Sequence, residues 1–265
     1  MEGRERVRRH LAGRGADGAP LIAFATEFAA HLEQVEAQEM WQDAGVLTRT
    51  LMGLEALFGL DAIVVDVPVA SLAQGRLRPV ADGLARLRTL LADRVALVLA
   101  LPGPLTCAAA AGRDRSPETL EDLGAEILAS FKALGPEHAD CLATVERAPV
   151  TISDAHPLDD ALAPIWNTAR YYTAASMLVV AEGPAELGDT AADALAVWAG
   201  PSPQELAARG ARHVGVPVDP PSAGVDSPEL SELPAGGFYT TRGDLAADTQ
   251  IEAFRHLVSA VGAVR

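Results

Sequence analysis

Acidic and basic side chains follow the apolar segments that the sequence predicts to be β-strands. Residues at the carboxyl ends of parallel strands gather at one edge of the sheet, where α/β proteins bind ligands. Applied here, this rule collects carboxylates, two arginines, a threonine and a tryptophan. The candidates are Glu27, Asp66, Thr106, Glu146, Arg147, Glu182, Trp198, Asp219, Arg242 and Asp244.

Two kinds of chemistry suit these candidates, and the sequence leaves both open. Carboxylates that are crowded in a dry pocket raise one another's pKa, so that one can act as general acid and another as base. Alternatively, several converging carboxylates bind a hard divalent cation such as Mg²⁺ or Mn²⁺. We predict catalytic roles for Asp66, Glu146, Glu182 and Asp244, with Glu182 and Asp244 as the ligands if a metal is bound.

Several candidates also have a purely structural interpretation. Asp66 precedes Val67 and Pro68 and could cap a turn, and Glu146 could pair with Arg147 at a barrel rim. A tryptophan in a pocket forms a wall more often than it stacks on a planar ligand. We predict that the substrate-binding residues are Glu27, Thr106, Arg147, Trp198 and Arg242.

His156 is the histidine best placed for catalysis, because it follows Ser153-Asp154-Ala155 after the fourth predicted strand. The same Ser-x-x-His-Pro setting also fits the start of a helix. Lys132 is the only lysine, and its helical pattern places it on a solvated face rather than at a Schiff-base site. Cys107 and Cys141 lie in unrelated segments, so no cysteine cluster predicts a structural metal.

The elements that must position these residues alternate regularly between apolar strands and amphipathic helices. This order predicts a parallel sheet, and at 265 residues a single (β/α)8 TIM barrel of the α/β class. An open doubly wound sheet is the alternative, but no Gly-rich phosphate loop follows the first strand. The predicted strands are Leu21–Thr26, Ala62–Val67, Val95–Leu101, Cys141–Val145, Met177–Ala181, Ala194–Trp198, His213–Val218 and Gly237–Thr240.

Composition limits the partners that we expect. The net charge of −15 argues against nucleic acid or an anionic membrane surface, and leaves a small-molecule substrate. Two cysteines, no signal sequence and no long apolar run predict a cytoplasmic protein, and a homodimer is left open. We predict a basic extension or helix over residues 1–19 and the barrel over residues 20–265.

Five segments resemble those of one family. One of them, VALVLALPGPLT, ends in a Pro-Gly-Pro-Leu-Thr loop. The other four are GLEALFGLDAIVVD, HADCLATVERAPV, AADALAVWAG and GGFYTTRGDLAADTQIEAF. The order of the five segments along the chain is also that of the family. Together they resemble the uroporphyrinogen decarboxylase superfamily, which includes zinc-dependent, corrinoid-linked methyltransferases. The resemblance covers the chain from about Pro20 onward. It implies a TIM barrel and a site at the carboxyl ends of its strands.

Departures from the family pattern narrow the expected chemistry. Where the methyltransferases carry a zinc-binding His and two Cys, the matching positions here are Val180, Glu182 and Asp244, so the thiolate zinc site is missing. Where the decarboxylases carry arginines for substrate carboxylates, this chain has Glu27, which argues against uroporphyrinogen as substrate. The family's catalytic aspartate maps near Asp66, although the spacing is two residues short.

Three functions follow as expectations. The first is decarboxylation, or a related lyase step, on a small non-porphyrin substrate, with Asp66 as acid and Arg242 holding a carboxylate. The second is methyl transfer from a corrinoid, with Glu182 and Asp244 binding an altered metal or activating a hydroxyl. The third is a non-catalytic barrel that binds a metabolite. No cofactor is required by the motifs; a divalent metal is one alternative, and a corrinoid belongs to the second function alone.

Overall fold

Eight parallel strands form a nearly closed (β/α)8 barrel, as predicted, in a computed structural model that describes residues 2–14, 18–172, 174–221, 230–234 and 236–263. The hydrogen-bonded order is β1-β8-β7-β6-β5-β4-β3-β2. Within the described residues no ladder joins β1 to β2, and we call this gap the seam. The strands are β1 Leu21–Ile22, β2 Ala62–Asp66, β3 Ala96–Pro102, β4 Cys141–Glu146, β5 Ala175–Glu182, β6 Ala194–Ala199, β7 His213–Val218 and β8 Phe238–Thr241.

The first strand is shorter than predicted. Leu21 pairs with Tyr239 of β8, but the ladder ends after Ile22, and a helix already begins at Thr26. The chain between them stays buried, with the Phe24 amide donating to Thr241 Oγ1 at 3.0 Å. The Thr26 hydroxyl donates to the carbonyl of Val64 at 3.3 Å, which gives the seam one side-chain bridge.

Side-chain alternation divides each strand between two apolar cores. Alternate residues such as Val64 and Val145 fill the barrel interior, whereas their neighbours Ile63 and Leu142 pack under the surrounding helices. This period of two follows from the pleat of a strand. It also decides which of the polar residues at strand ends can face the mouth of the barrel.

The helices largely follow the amphipathic segments, and several begin at side-chain caps. Asp43 accepts the amides of Gly45 and Val46 at the start of α4, and Ser202 forms a capping box with Glu205. Among the described residues, no helix is both long and apolar enough to span a membrane. The helices are α1 Gly3–Leu11, α2 Thr26–Leu32, α3 Ala37–Gln42, α4 Ala44–Phe58, α5 Val69–Ala73, α6 Arg78–Leu91, α7 Pro104–Ala111, α8 Pro117–Leu134, α9 Ile152–Tyr171, α10 Pro203–Arg209 and α11 Ile251–Ala263.

Helix α1 covers the amino-terminal end of the barrel. Its Val7 and Leu11 are buried in the interior core, and Gly3 lies so close to Asp61 that a Cβ would stand 2.8 Å from the Asp61 Cα. The predicted basic extension therefore contains a helix that packs against the barrel floor.

Candidate active site

A cleft of about 580 Å³ opens at the carboxyl ends of the strands, on the side of β1 and β2. Its floor carries polar residues that follow β1, β2, β4 and β8, and its walls come from α3 and α5. The lining consists of Thr26, Glu27, Ala37, Gln38, Met40, Trp41, Gln42, Asp66, Pro68, Val69, Ala70, Ser71, Gln74, Arg76, Arg147 and Asp244.

One guanidinium joins two carboxylates on this floor. Nη2 of Arg147 donates to Oδ2 of Asp66, the last residue of β2. The same guanidinium also binds Asp244, which lies in the loop after β8. Its Nε and Nη2 each donate to an Asp244 oxygen within 3.1 Å. Such a fork fixes both carboxylates in position. The predicted candidates Asp66, Arg147 and Asp244 are thus brought together.

Asp66 has the properties of a group that exchanges protons near neutrality. Burial raises the pKa of Asp66 to about 7, because the nearby Arg147 cation only partly offsets desolvation and the Asp244 charge adds to it. Its Oδ1 is buried and has no hydrogen-bond partner among the described residues. Since Oδ2 is held by Arg147, Oδ1 is the carboxylate oxygen of Asp66 that no described protein group engages by a hydrogen bond.

Glu146 lies elsewhere, although it directly precedes Arg147. Its carboxylate is fully buried and accepts the amides of Leu105 and Thr106 at 3.0 and 2.8 Å, which are first-turn amides of α7. Burial raises the pKa of Glu146 to about 7, although these donors oppose the shift. The alternation of β4 explains the placement: Val145 faces the interior, so Glu146 faces the helix layer. Glu146, for which we predicted a catalytic role, thus caps α7 from outside the cleft.

The Pro-Gly-Pro-Leu-Thr loop connects this cap to the cleft. Gly103 is needed because a Cβ there would collide with the Glu146 carboxylate. The Thr106 hydroxyl donates to Glu146 at 2.8 Å and accepts the backbone amide of Arg147 at 2.7 Å. Thr106, which we predicted to bind substrate, is buried outside the cleft lining, and it positions the backbone from which Arg147 reaches the cleft.

Arg242 and Trp198 occupy a neighbouring part of the mouth, and neither lines the cleft. Arg242 donates to Asp219 at 2.9 Å and to the carbonyl of Trp198 at 2.7 Å. Trp198 fills the top of the barrel interior, its ring centroid 5.5 Å from that of Phe24. The cation beside Asp66 is thus Arg147, whereas Arg242, which we predicted to hold a substrate carboxylate, lies outside the cleft. Glu27 does line the cleft, on its exposed rim.

Glu182 and His156 are also placed outside the cleft. Glu182 ends β5, and its side chain is exposed. Because Val179 faces the barrel interior, the alternation of the strand turns Glu182 to the opposite side. His156 is exposed on α9, where its Nε2 lies 3.6 Å from Asp160, and it lines a different cavity with Glu186. These positions separate both residues from Asp66 and Arg147.

The donor set does not fit the metals considered from sequence. In the described part of the chain, no three His, Cys, Asp or Glu residues are grouped to hold an ion. Asp66 and Asp244 instead surround the Arg147 guanidinium, which takes the place that a cation would need. Cys107 lies outside the cleft, and burial raises its pKa to about 12, so it remains a thiol.

The wall contributed by α3 and α5 was not anticipated. Trp41 and Gln42 come from α3, and Ser71 and Arg76 come from α5 and the turn after it. The sequence gives one signal in retrospect: Trp41 and Gln42 end a short helical stretch that interrupts the first βα connection. Insertions at this end of a TIM barrel commonly shape the site.

Comparisons with known proteins support the fold alone. No protein-family model and no curated protein sequence matches this chain. Among solved structures, a methyltransferase from Methanosarcina mazei matches with a TM-score of 0.71 at 15% identity, covering 99% of each chain. The two proteins therefore share a barrel over their full length, while their sequences have little in common.

Proposed function

We propose that this chain is an enzyme that transfers a methyl group to a heteroatom nucleophile of a small molecule bound in the cleft. The observation that carries the proposal is the buried, unpartnered Oδ1 of Asp66 beside Arg147. Asp66 acts as general base: its Oδ1 takes the proton of the nucleophile while the nucleophile bonds to the methyl carbon and the donor's bond to that carbon breaks. A base with a pKa near the working pH suits this role.

The other cleft residues have supporting roles in this proposal. Arg147 keeps Asp66 oriented and ionisable, and Asp244 holds Arg147 from the opposite side. A cleft of about 580 Å³ suits a small ligand, and the acidic Glu27 opposes a substrate with many carboxylates. Trp41 and Val69 offer the apolar contacts that such a ligand needs.

Methyl transfer is placed first because a solved structure that shares this barrel is a methyltransferase. The resemblance of the sequence segments includes corrinoid-linked methyltransferases, and the barrel matches that of a methyltransferase. A corrinoid is larger than the ligands that such a cleft encloses, so we treat it as a donor presented at the mouth. The missing thiolates mean that no step relies on zinc.

The test uses methylcobalamin as donor with a panel of thiols, alcohols and amines. Product methylation is followed by mass spectrometry, and donor consumption by absorbance. We expect Asp66→Asn to lower the rate by about 10²- to 10⁴-fold. Asp82→Asn serves as the matched control, because Asp82 is exposed on α6 and outside the cleft. Equal activity of the two variants, or no methylated acceptor with the wild type, would refute the proposal.

Decarboxylation is a second candidate, favoured by the same carboxyl in its protonated form. Below pH 7 the neutral Asp66 could protonate a carbanion, and Arg147 could attract the carboxylate of a substrate. The pH dependence separates the two reactions: base catalysis by Asp66 increases as the pH rises through about 7, whereas acid catalysis decreases. Release of CO₂ from small carboxylic acids, with activity lost above pH 7, would favour decarboxylation.

A further inference from the structure

A second cavity lies at the opposite end of the barrel, where α1 and α9 end. It has a volume of about 390 Å³ and an apolar base formed by Leu11, Ala12, Ala174 and Ala175. Four arginines line it, and we call it the arginine cavity. These arginines are Arg8, Arg9, Arg14 and Arg170.

The carboxylates of this cavity are already engaged by other groups. Asp140 is buried and accepts Nε of Arg4 at 2.8 Å and Nη1 of Arg88 at 2.7 Å, neither of which lines the cavity. Asp193 accepts the hydroxyl of Ser176 at 2.8 Å and pairs with Arg212 at 3.3 Å.

The remaining carboxylate, Glu5, pairs with Arg9, so among the described residues the other three guanidiniums of the cavity have no acidic partner. The Arg9 Nε lies 2.7 Å from Glu5. Within the described residues, no carboxylate pairs with Arg8 or Arg14. Arg170 donates to the Asn167 side chain and to the carbonyl of Ala191, both of which are neutral.

Helix capping does not account for these arginines. The last carbonyls of α1 accept backbone amides, with Ala12 N bonding to Arg8 O at 3.1 Å and Arg14 N to Arg9 O at 2.8 Å. At the end of α9, Ala174 N bonds to the carbonyl of Ala169 at 3.0 Å. Because these helix ends are closed by the backbone, the guanidiniums are not needed to cap them.

The local charge is opposite to that of the whole protein. Although the chain carries a net charge of −15, the described residues that line this cavity include four arginines and three carboxylates. The carboxylates are Glu5, Asp140 and Asp193. Guanidiniums remain charged at any physiological pH, so a bound anion would relieve their mutual repulsion.

We propose that the arginine cavity binds a small phosphate-bearing anion with two or more negative charges. A phosphoryl group offers three oxygens, so it can meet several guanidinium forks at once. The volume suits a compact ligand, and the apolar base accommodates an uncharged part of it. This site is separate from the cleft and does not depend on the reaction proposed there.

Titration calorimetry with inorganic pyrophosphate at low salt tests the proposal. The wild type should bind one equivalent with a dissociation constant below about 1 mM. Arg8→Ala and Arg14→Ala should each weaken binding about tenfold, since each removes a charged hydrogen bond. Arg78→Ala is the matched control, because Arg78 is 93% exposed on another face. Absence of saturable binding, or equal binding by all three variants, would overturn the proposal.

Two further measurements remove ambiguity. Pyrophosphate should raise the melting temperature of the wild type more than that of Arg8→Ala, a comparison that also verifies that the variant is folded. Polyglutamate at matched ionic strength should bind more weakly than pyrophosphate. If polyglutamate binds more tightly and shows the same dependence on Arg8 and Arg14, the site takes an acidic protein segment and the phosphate proposal is wrong.

Discussion

The two ends of the barrel have opposite arrangements of charge. At the cleft, one arginine, Arg147, lies between the carboxylates of Asp66 and Asp244. At the other end, one buried carboxylate, Asp140, lies between the guanidiniums of Arg4 and Arg88. A surplus carboxylate can be neutralised by a proton, and burial, with the Asp244 charge adding to it, raises the pKa of Asp66 to about 7. A surplus guanidinium has no such route, because arginine does not deprotonate in proteins.

The largest effect on stability is expected at the end with surplus arginines. Asp140→Ala leaves Arg4, Arg88 and the amide of Leu97 without their shared acceptor, and the Asp140 side chain is only 2% exposed. We expect the free energy of unfolding in urea to fall by about 3–5 kcal/mol at all pH values between 5 and 8. Asp140→Asn, which keeps the shape and one acceptor, should lose less. Two equally stable variants would contradict this explanation.

Arg147→Ala removes the cation that lies between the two carboxylates of the cleft. The resulting loss in the free energy of unfolding should depend on pH. At pH 8 two carboxylates are left facing each other, and we expect a loss of about 3 kcal/mol. At pH 5 Asp66 takes up a proton, so the loss should shrink to about 1 kcal/mol. Urea unfolding at both pH values measures the difference, and Arg147→Lys tests whether charge without the fork suffices. A loss that does not change with pH would mean that protonation of Asp66 does not relieve the charge.

Glu146→Ala tests whether the residue beside Arg147 serves stability or chemistry. Removing this buried cap leaves the amides of Leu105 and Thr106 without acceptors, at an expected cost of about 2–3 kcal/mol. Thermal and urea unfolding give the value, with Glu118→Ala on the exposed side of α8 as control. If stability is unchanged while turnover is abolished, Glu146 belongs to the catalytic groups after all.

The two ends should also respond to pH in opposite directions. Burial raises the pKa of Asp66 and of Glu146 to about 7, so the stability that each contributes is complete below about pH 4 and is lost as the pH rises towards 7. Burial lowers the pKa of His10 and His213 at the other end, so their contribution is present above about pH 6.5 and is lost on acidification.

Variants at each end test the two opposite pH dependences of stability separately. Asp66→Asn should reduce the loss of stability between pH 5 and 7, and His10→Gln should reduce the loss below pH 6. Each group can change the slope by at most about 1.4 kcal/mol per pH unit. Unfolding free energies measured at half-unit steps give the slopes. Identical slopes in wild type and both variants would remove the contrast between the two ends.

The smallest effect is expected for Arg242→Ala. Arg242 pairs with the exposed Asp219 and contacts the carbonyl of Trp198, so its loss should cost less than about 1 kcal/mol. Its effect on the rate should be far below that of Asp66→Asn. A rate loss as large as that of Asp66→Asn would restore Arg242 to the catalytic groups and weaken the distinction made for Arg147.

The sequence predicted the barrel well because its strands are long apolar runs separated by helical patterns. It located Asp66, Arg147 and Asp244 near one mouth for the same reason. The sequence did not show that Glu146 and Glu182 lie outside the cleft. To see this, the side-chain alternation of β4 and β5 must be followed to the last residue of each strand. The partner of Asp66 depends on how far Arg147 reaches across the mouth, which only the folded arrangement of strands determines.

The pairing of the first strand with the last has a consequence for the order in which the chain folds. Most strand pairs join neighbours in sequence, but β1 must meet β8, and Leu21 lies opposite Tyr239. Bringing such distant segments together is the slow, entropically costly step in folding, so ring closure is expected to come last. The cleft takes Thr26 from one side of that closure and Asp244 from the other. A nascent or partly folded chain would therefore have most of its hydrophobic core before it has a complete reaction centre.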